Sequence, residues 1–230
     1  MKTHPDYQAP AVNSARDDFW RQVRRTVGGE PVSEQQIDLI VGAILEGLKF
    51  EPHNSLLDLA CGNGALTARL YPHCESSVGV DSSEYLISVA EQFFAARPSR
   101  GFVLDDLVHF TSESHNPNNF DKVLCYGSFA YLSDHDAEEA LTNITKRFTN
   151  VSRVFLGNLP DLDRIDHFYR VGVPSQTVLE DPMSPIGVWR TRSYFTRLAL
   201  ELGWRSVVSV MPEAFFAADY RFDVTLSRGD

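Results

Sequence analysis

The sequence of 230 residues is poor in cysteine and contains no apolar run long enough to cross a bilayer. Its three cysteines have neither the close spacing of a metal site nor the even number of a disulfide framework. The first ten residues are polar, which does not match a signal peptide. We therefore expect a reduced, cytoplasmic protein without a membrane partner.

Basic residues are also scarce, with 21 lysines and arginines against 31 aspartates and glutamates and a net charge of −10. A nucleic-acid partner requires a basic surface, so this balance predicts no nucleic-acid binding. Hydrophobic residues make up 43% of the chain and charged residues 23%, which is typical of globular proteins. The expected partner is a small molecule, and a homodimer is compatible with this composition.

The most informative stretch is residues 56–67, which begin as a short apolar strand that contains Asp58 and continue into a turn punctuated by Gly62 and Gly64. Glycine tolerates positive φ and lets a ligand approach the backbone closely. A helix predicted to begin at Ala65 would present its free N–H groups to that ligand. This pattern predicts a ligand-binding turn.

Asp81 follows Gly62 by 19 residues and ends the next apolar run. In doubly wound folds, an acid at about this distance from the glycine turn binds the ribose hydroxyls of a nucleoside cofactor. The dinucleotide fingerprint requires a third glycine, but Thr67 stands at that position. An NAD-dependent oxidoreductase is therefore the weaker interpretation.

The sequence from Asp58 through Cys61, Gly62 and Gly64 resembles motif I of the class I S-adenosylmethionine (SAM) methyltransferases. Ala60 occupies the position of the first glycine of the family motif, which is a conservative departure. The resemblance covers about residues 39–228. It implies SAM as the cofactor and S-adenosylhomocysteine as its product.

Strands alternate with helices along the chain, and the last two strands follow each other without a helix. This order predicts an α/β fold with a doubly wound, seven-stranded, mostly parallel sheet whose last strand is antiparallel. The same Rossmann-like arrangement is implied by the resemblance. We expect an N-terminal arm or lid over residues 1–32 and a methyltransferase domain over residues 33–230. Within that domain, residues 159–187 are expected to form an insertion on the substrate side.

Several local elements are predicted from periodicity and capping signals. Residues 15–27 are expected to form a helix. Ser33 and Gln36 have the spacing of a capping box, which would start a helix that ends near Lys49. Residues 111–119 are predicted to form a polar connection, and residues 187–192 a strand.

The resemblance also implies which residues bind the cofactor. Gly62 and Gly64 would face its amino-acid part, Asp81 its ribose, and Asp105 or Asp106 its adenine amine. Trp20 on the N-terminal helix could close over the cofactor, and an arginine of that helix, Arg16 or Arg21, could pair with its carboxylate. The full predicted set is Asp58, Ala60, Cys61, Gly62, Gly64, Asp81, Ser82, Asp105, Asp106, Leu107, Tyr126 and Trp20.

The sequence contains fewer specific signals for the methyl acceptor than for the cofactor. The strand that ends at Tyr126 lacks the Asn/Asp-Pro-Pro-aromatic tetrapeptide of nucleic-acid amino-methyltransferases. Asn158 after the next strand cannot hold a divalent ion alone, so no metal is predicted. Candidate catalytic residues are His135, His167 and Tyr126, because a hydroxyl acceptor benefits from a general base. The alternatives are first-turn helix chemistry for His135, a solvated charged face for His167, and a core position for Tyr126.

We therefore predict a SAM-dependent methyltransferase that acts on a small molecule such as a sugar or secondary metabolite, with oxygen favoured over nitrogen as the methyl acceptor. Two alternatives stay open. The chain could be a non-catalytic SAM-binding partner subunit, because the cofactor motif is intact while no base is unmistakable. The oxidoreductase interpretation remains the least favoured.

Overall fold

A computed structural model describes residues 13–229. Its main sheet has seven strands in the order β5-β4-β3-β6-β7-β9-β8. All neighbouring strands from β5 to β7 are parallel, while β9 is antiparallel to both β7 and β8. The predicted mostly parallel sheet with a reversed last strand is thereby confirmed. The strands are β3 (Ser55–Leu59), β4 (Ser76–Asp81), β5 (Arg100–Leu104), β6 (Lys122–Tyr126), β7 (Arg153–Pro160), β8 (Trp204–Ser209) and β9 (Arg221–Arg228).

Helices cover both faces of this sheet, as the alternation of strands and helices predicts. One face packs against α5, α6 and α9, and the other against α2 and α3. Among the described residues none of the helices is both long and apolar enough to span a bilayer. The helices are α1 (Phe19–Gln22), α2 (Glu34–Leu48), α3 (Ala65–Arg69), α4 (Glu84–Phe93), α5 (Leu107–Glu113), α6 (Asp134–Arg147), α7 (Ile165–Phe168), α8 (Gln176–Leu179) and α9 (Arg192–Glu201).

The central strands are buried on both faces, and β6 shows why. Val123 and Cys125 pack on the side of α6, whereas Leu124 and Tyr126 pack on the side of α2. Successive side chains of a strand point to opposite faces, so a strand in the middle of the sheet carries apolar side chains on both faces, as Val123 to Tyr126 do. This arrangement fixes Tyr126 at the carboxyl end of β6, on the α2 side of the sheet.

The N-terminal region differs from its prediction. Of the helix expected over residues 15–27, the structure contains only the short helix α1. A small hairpin of β1 (Thr26–Val27) and β2 (Glu30–Pro31) follows it. Residues 1–12, the beginning of the predicted arm, lie outside the described residues.

The predicted capping box is also not formed. Ser33 is the N-cap of α2 but makes no side-chain cap hydrogen bond. The Gln36 amide instead donates to Ala214 O and accepts from Phe216 N–H, so a tertiary contact replaces the local one.

Two further local predictions are wrong. Helix α5 occupies part of the stretch predicted as a polar connection, because Asp106 caps its first turn with bonds to Val108 and His109. Residues 187–192 form no strand in the structure. One bridge, between Asp161 and Arg190, connects this segment to the chain after β7, and the Arg192 side chain donates to Asp161 Oδ2 at 2.9 Å.

Candidate active site

A cavity of about 370 Å³ lies at the carboxyl ends of β3, β4, β6 and β7. In open α/β sheets ligands bind at this edge, where the order of the strands reverses. Its walls come from the N-terminal hairpin, the glycine turn, the ends of the central strands, and two late segments, residues 182–186 and 215–221. The cavity thus brings together residues that are far apart in the chain.

Most of the predicted cofactor residues line this one cavity. They are Asp58, Ala60, Cys61, Gly62, Asp81, Ser82, Asp105, Asp106, Leu107 and Tyr126. Gly64 and Trp20 do not line it. The structure therefore brings these ten residues together, and the positions of the other two have physical explanations.

Glycine is required at position 64 because of the packing behind the turn. Its φ of +76° lies in the left-handed region, and a Cβ there would lie 2.6 Å from the Phe102 ring. Gly62 has a φ of +61°, and its open side faces Val23 of the N-terminal segment. Glycine is needed at both positions, but only Gly62 faces the cavity.

Thr67, at the position of the missing third glycine, has a specific partner. Its hydroxyl donates a hydrogen bond of 2.5 Å to Asp58 Oδ2, and both residues are buried. Burial raises the pKa of Asp58 to about 7, while the Thr67 hydroxyl and the charge of Arg25 oppose this rise. The bond fixes the start of α3 against the end of β3.

Asp81 is held by the backbone of the turns on either side of it. Gly62 N–H donates to its Oδ2 at 2.9 Å, and Ser83 N–H donates to its Oδ1 at 2.8 Å. Burial nevertheless raises the pKa of this carboxyl group above its usual value. Each oxygen keeps further lone pairs for a ligand, so the carboxylate is rigidly presented at the cavity wall.

The predicted adenine end is built from Asp105, Asp106 and Leu107. Asp106 caps α5, because its Oδ1 accepts from Val108 N–H and His109 N–H. Asp105 accepts from Asp106 N–H and contacts His109 Nδ1, with both distances 2.8 Å. Both acids still line the cavity, and Leu107 adds an apolar wall.

The N-terminal segment is anchored directly on the glycine turn. Asn63 Nδ2 donates to Phe19 O at 2.7 Å and to Gln22 Oε1 at 2.8 Å. Asn63 and Gln22 are almost fully buried. Val23 packs on the backbone of Gly62, as the space around that glycine shows. Sequence reasoning missed this role of Asn63, because nothing local marks its partner.

The arginine of this segment that reaches the cavity is neither of the two predicted. Arg16 bonds to Gln92 and Ser88, and Arg21 pairs with Asp18 and Glu30. The lining residue is Arg25, together with its neighbour Arg24.

Trp20 supports Arg25 from the side instead of covering a cofactor. The Arg25 guanidinium lies 5.4 Å from the Trp20 ring and 5.2 Å from the Tyr126 ring. The indole N–H of Trp20 donates to Glu34 at 3.3 Å. Trp20 therefore acts through Arg25 and does not line the cavity.

The far end of the cavity lies where β6 and β7 end. Tyr126, Gly127, Asn158 and Arg221 all line it. The Tyr126 ring lies across Gly157, where a Cβ would collide with it. The hydroxyl of Tyr126 and Oδ1 of Asn158 are buried without a hydrogen-bond partner.

The two histidines proposed as bases lie elsewhere. His135 is 83% exposed in the first turn of α6, and His167 is exposed on α7. Neither lines the cavity, so the structure does not bring them to the reacting groups. Within residues 13–229, one surface group of metal-ligand type is found, His135 with Asp136 and Glu139. None of these three residues lines the cavity, and the absence of a metal remains a prediction.

The residues of the cavity fit SAM. A rigid carboxylate, Asp81, is available for the ribose, and the cation Arg25, whose charge acts on Asp58, lines the same cavity and is available for a carboxylate. The unpartnered Tyr126 hydroxyl and Asn158 Oδ1 mark a further polar region that no protein group satisfies. These protein groups suit a nucleoside with an amino-acid tail together with a second, polar ligand.

Comparison with known proteins agrees with this geometry. A family profile described as a methyltransferase domain matches residues 56–149. An uncharacterised methyltransferase of Schizosaccharomyces pombe is 31% identical over 112 residues, which are 46% of this chain and 38% of that protein. Nodulation protein S of Rhizobium tropici is 24% identical over 163 residues, 70% of this chain and 63% of that protein. This chain thus spans less than two thirds of either relative.

Among solved structures, magnesium protoporphyrin IX methyltransferase of Synechocystis PCC 6803 with bound S-adenosylhomocysteine has the same fold. Its TM-score is 0.64 at 15% identity, over 97% of this chain and 94% of that one. Fold, motif and family profile point the same way. Residues 56–149 match a methyltransferase domain, and the chain has the fold of class I SAM-dependent methyltransferases.

Proposed function

We propose that the protein transfers the methyl group of SAM to a small-molecule acceptor. The observation that carries this proposal is the single cavity that joins Asp81 to the polar end at Tyr126 and Asn158. Residues 182–186 and Phe215, Phe216 and Tyr220 wall this end, which suits a small molecule better than a polymer. The acidic net charge also disfavours a nucleic-acid acceptor.

The residues of the chain have separate tasks in this proposal. Asp81 would hold the ribose hydroxyls and Arg25 the methionine carboxylate, so the sulfonium methyl would face the ends of β6 and β7. SAM supplies an already activated methyl group. The acceptor's nucleophile then forms a bond to the methyl carbon as the carbon–sulfur bond breaks, sulfur keeps the electron pair, and the acceptor's proton goes to water. The protein's main contribution is alignment and exclusion of water.

The finer assignments of the sequence stay proposals. We propose oxygen as the methylated atom. Both O–H and N–H acceptors suit the unpartnered oxygens at the far end of the cavity. A homodimer and a cytoplasmic location likewise remain expectations. The structurally similar magnesium protoporphyrin IX methyltransferase supports a small-molecule acceptor.

The first experiment is isothermal titration calorimetry with S-adenosylhomocysteine. We expect binding by the wild type, and a loss of about 100-fold or more for Asp81→Ala, because two ribose hydrogen bonds to a charged group are removed. Asp166→Ala, which changes an exposed carboxylate on α7, is the matched control and should bind as the wild type does. Absence of binding by the wild type would reject the proposed function.

A further inference from the structure

The end of β7 carries an unusual backbone feature. The pairing between β7 and β9 is shifted between Leu156 and Leu159, and Asn158 inside this bulge has a φ of +62°. Bulges of this kind redirect a side chain, and asparagine tolerates the left-handed region better than most residues. The bulge turns Asn158 out of the ladder at the point where β7 meets the cavity.

Two side chains of β9 clamp the peptide groups of Asn158. Its N–H donates to Asp223 Oδ1 at 2.7 Å, and its carbonyl oxygen accepts from Arg221 Nη1 at 2.6 Å. Asp223 is buried, with 1% of its surface exposed. The clamp holds the bulge in one conformation, and both bonds involve a charged group, which makes them stronger than average.

The side chain that this clamp presents has unsatisfied hydrogen-bonding capacity. Asn158 Oδ1 is buried without a partner, and its amide nitrogen lies 3.6 Å from where a Cβ on Gly127 would be. The Tyr126 hydroxyl, at the end of the neighbouring strand, is equally unpartnered. Buried polar atoms rarely stay without partners in folded proteins, because each costs free energy. Both residues line the cavity, so a ligand can supply the missing donor.

We infer that the Asn158 carboxamide binds the nucleophilic N–H or O–H group of the acceptor and orients its lone pair toward the methyl group, with Asp223 as the residue that positions Asn158. This inference rests on the proposed function and names its acceptor class, an amine or an alcohol. A thiol is a weak hydrogen-bond donor and a carbon nucleophile offers almost none, so neither satisfies the Asn158 oxygen.

The acceptor class is tested first with a panel of small amines and alcohols and the thiols that share their carbon skeletons. Benzylamine, benzyl alcohol and benzyl mercaptan are one such set, chosen because Phe215, Phe216 and Tyr220 wall the cavity. Formation of S-adenosylhomocysteine is measured by mass spectrometry. We expect turnover of at least one amine or alcohol and a slower reaction of its thiol counterpart. Preferential methylation of thiols overturns this inference alone, whereas no methylation of any class also rejects the proposed function.

Variants then test Asn158 on the best acceptor found. Asn158→Gly keeps the positive φ without strain and removes the carboxamide. We expect kcat/KM to fall about 10- to 100-fold, mainly in kcat, with an unchanged affinity for S-adenosylhomocysteine. Asn119→Ala, an exposed position far from the cavity, is the control. A variant Asn158→Gly that retains wild-type kcat/KM would refute the role of Asn158.

The positioning role of Asp223 is separated by two substitutions. Asp223→Asn keeps an oxygen that can accept the Asn158 N–H, so kcat/KM should stay within about threefold of the wild type. Asp223→Ala removes that acceptor and should lose as much kcat/KM as Asn158→Gly does. Equal losses for both Asp223 variants would show that the charge, and not the hydrogen bond, matters. That result would contradict the positioning assignment.

Discussion

At the scale of single residues, the cavity depends on carboxyl groups that are buried without full compensation. Asp58 accepts one short bond from Thr67, and Asp223 accepts one from Asn158 N–H. Burial raises the pKa of Asp58 to about 7 and that of Asp223 to about 6. Burial of an acid without full pairing costs free energy that a well-paired surface acid does not cost, and Asp58 lines the cavity.

Asp58 gives the clearest pH prediction. Its native pKa of about 7 exceeds the unfolded value, so the native state binds more protons between pH 4 and 7, and its stability falls as pH rises through this window. The full difference corresponds to about 4 kcal/mol at high pH. Asp58→Asn should remove this component. Urea unfolding at pH 4.5 and 7.5 measures it as the difference between the pH slopes of wild type and variant.

Asp223 and Asp81 also have raised pKa values and change stability with the same sign in both proteins. The contribution of Asp223 therefore cancels in the comparison of wild type with Asp58→Asn, whereas the charge of Asp81, which raises the pKa of Asp58, is part of the difference that the comparison measures. Parallel pH slopes for the two proteins would show that Asp58 does not titrate near pH 7 in the native state.

At the scale of elements, the N-terminal segment and the glycine turn act as one unit. Asn63 joins them through two hydrogen bonds, and Val23 covers the backbone of Gly62. The helix predicted over residues 15–27 rests on periodicity alone. The conformation of this segment depends instead on contacts with residues distant in sequence, so the prediction did not include its link to the glycine turn. The predicted strand over residues 187–192 fails for the same reason, since tertiary bonds to Ala130 O and Pro160 O organise it.

We predict that Asn63→Ala weakens S-adenosylhomocysteine binding about tenfold, although Asn63 does not contact the acceptor end. The substitution leaves Phe19 O without its donor and Gln22 without its partner, which costs about 1–3 kcal/mol and frees the segment that carries Arg25. Calorimetry measures the affinity, and limited proteolysis of the N-terminal segment reports its release. If proteolysis accelerates while the affinity stays constant, the segment is no part of the cofactor site.

At the scale of the whole molecule, the sequence predicted the sheet, and most of the residues that it predicted for the cofactor half line the cavity. Asp58, Gly62 and Asp81 form a continuous local pattern, and each stands at a strand end that its own sequence defines. The acceptor half was not predictable in this way. Asn158 and Asp223 meet only because β9 inserts between β7 and β8, and their one-to-one pairing depends on a bulge that has no sequence signal.

Binding of the cofactor product should stabilise the whole fold, because its site is shared by most of the sheet. At 100 times its dissociation constant, S-adenosylhomocysteine should add about 2.7 kcal/mol, which corresponds to a rise in Tm of roughly 5–10 °C for a chain of this size. Differential scanning fluorimetry measures the shift, and Asp81→Ala serves as the variant without it. A Tm that does not depend on ligand concentration would contradict specific binding to the native state.

The place of β9 in the sheet has a consequence for how the molecule is made. On a ribosome, β3, β4 and β6 emerge before the last strand, so the cofactor half can assemble early. Strand β7 must wait for β9, and until then it exposes an unpaired edge that can pair with other chains. Arg221 and Asp223 arrive with that same strand. In this order the proposed acceptor site assembles after the cofactor half, and its completion also covers the unpaired edge of β7.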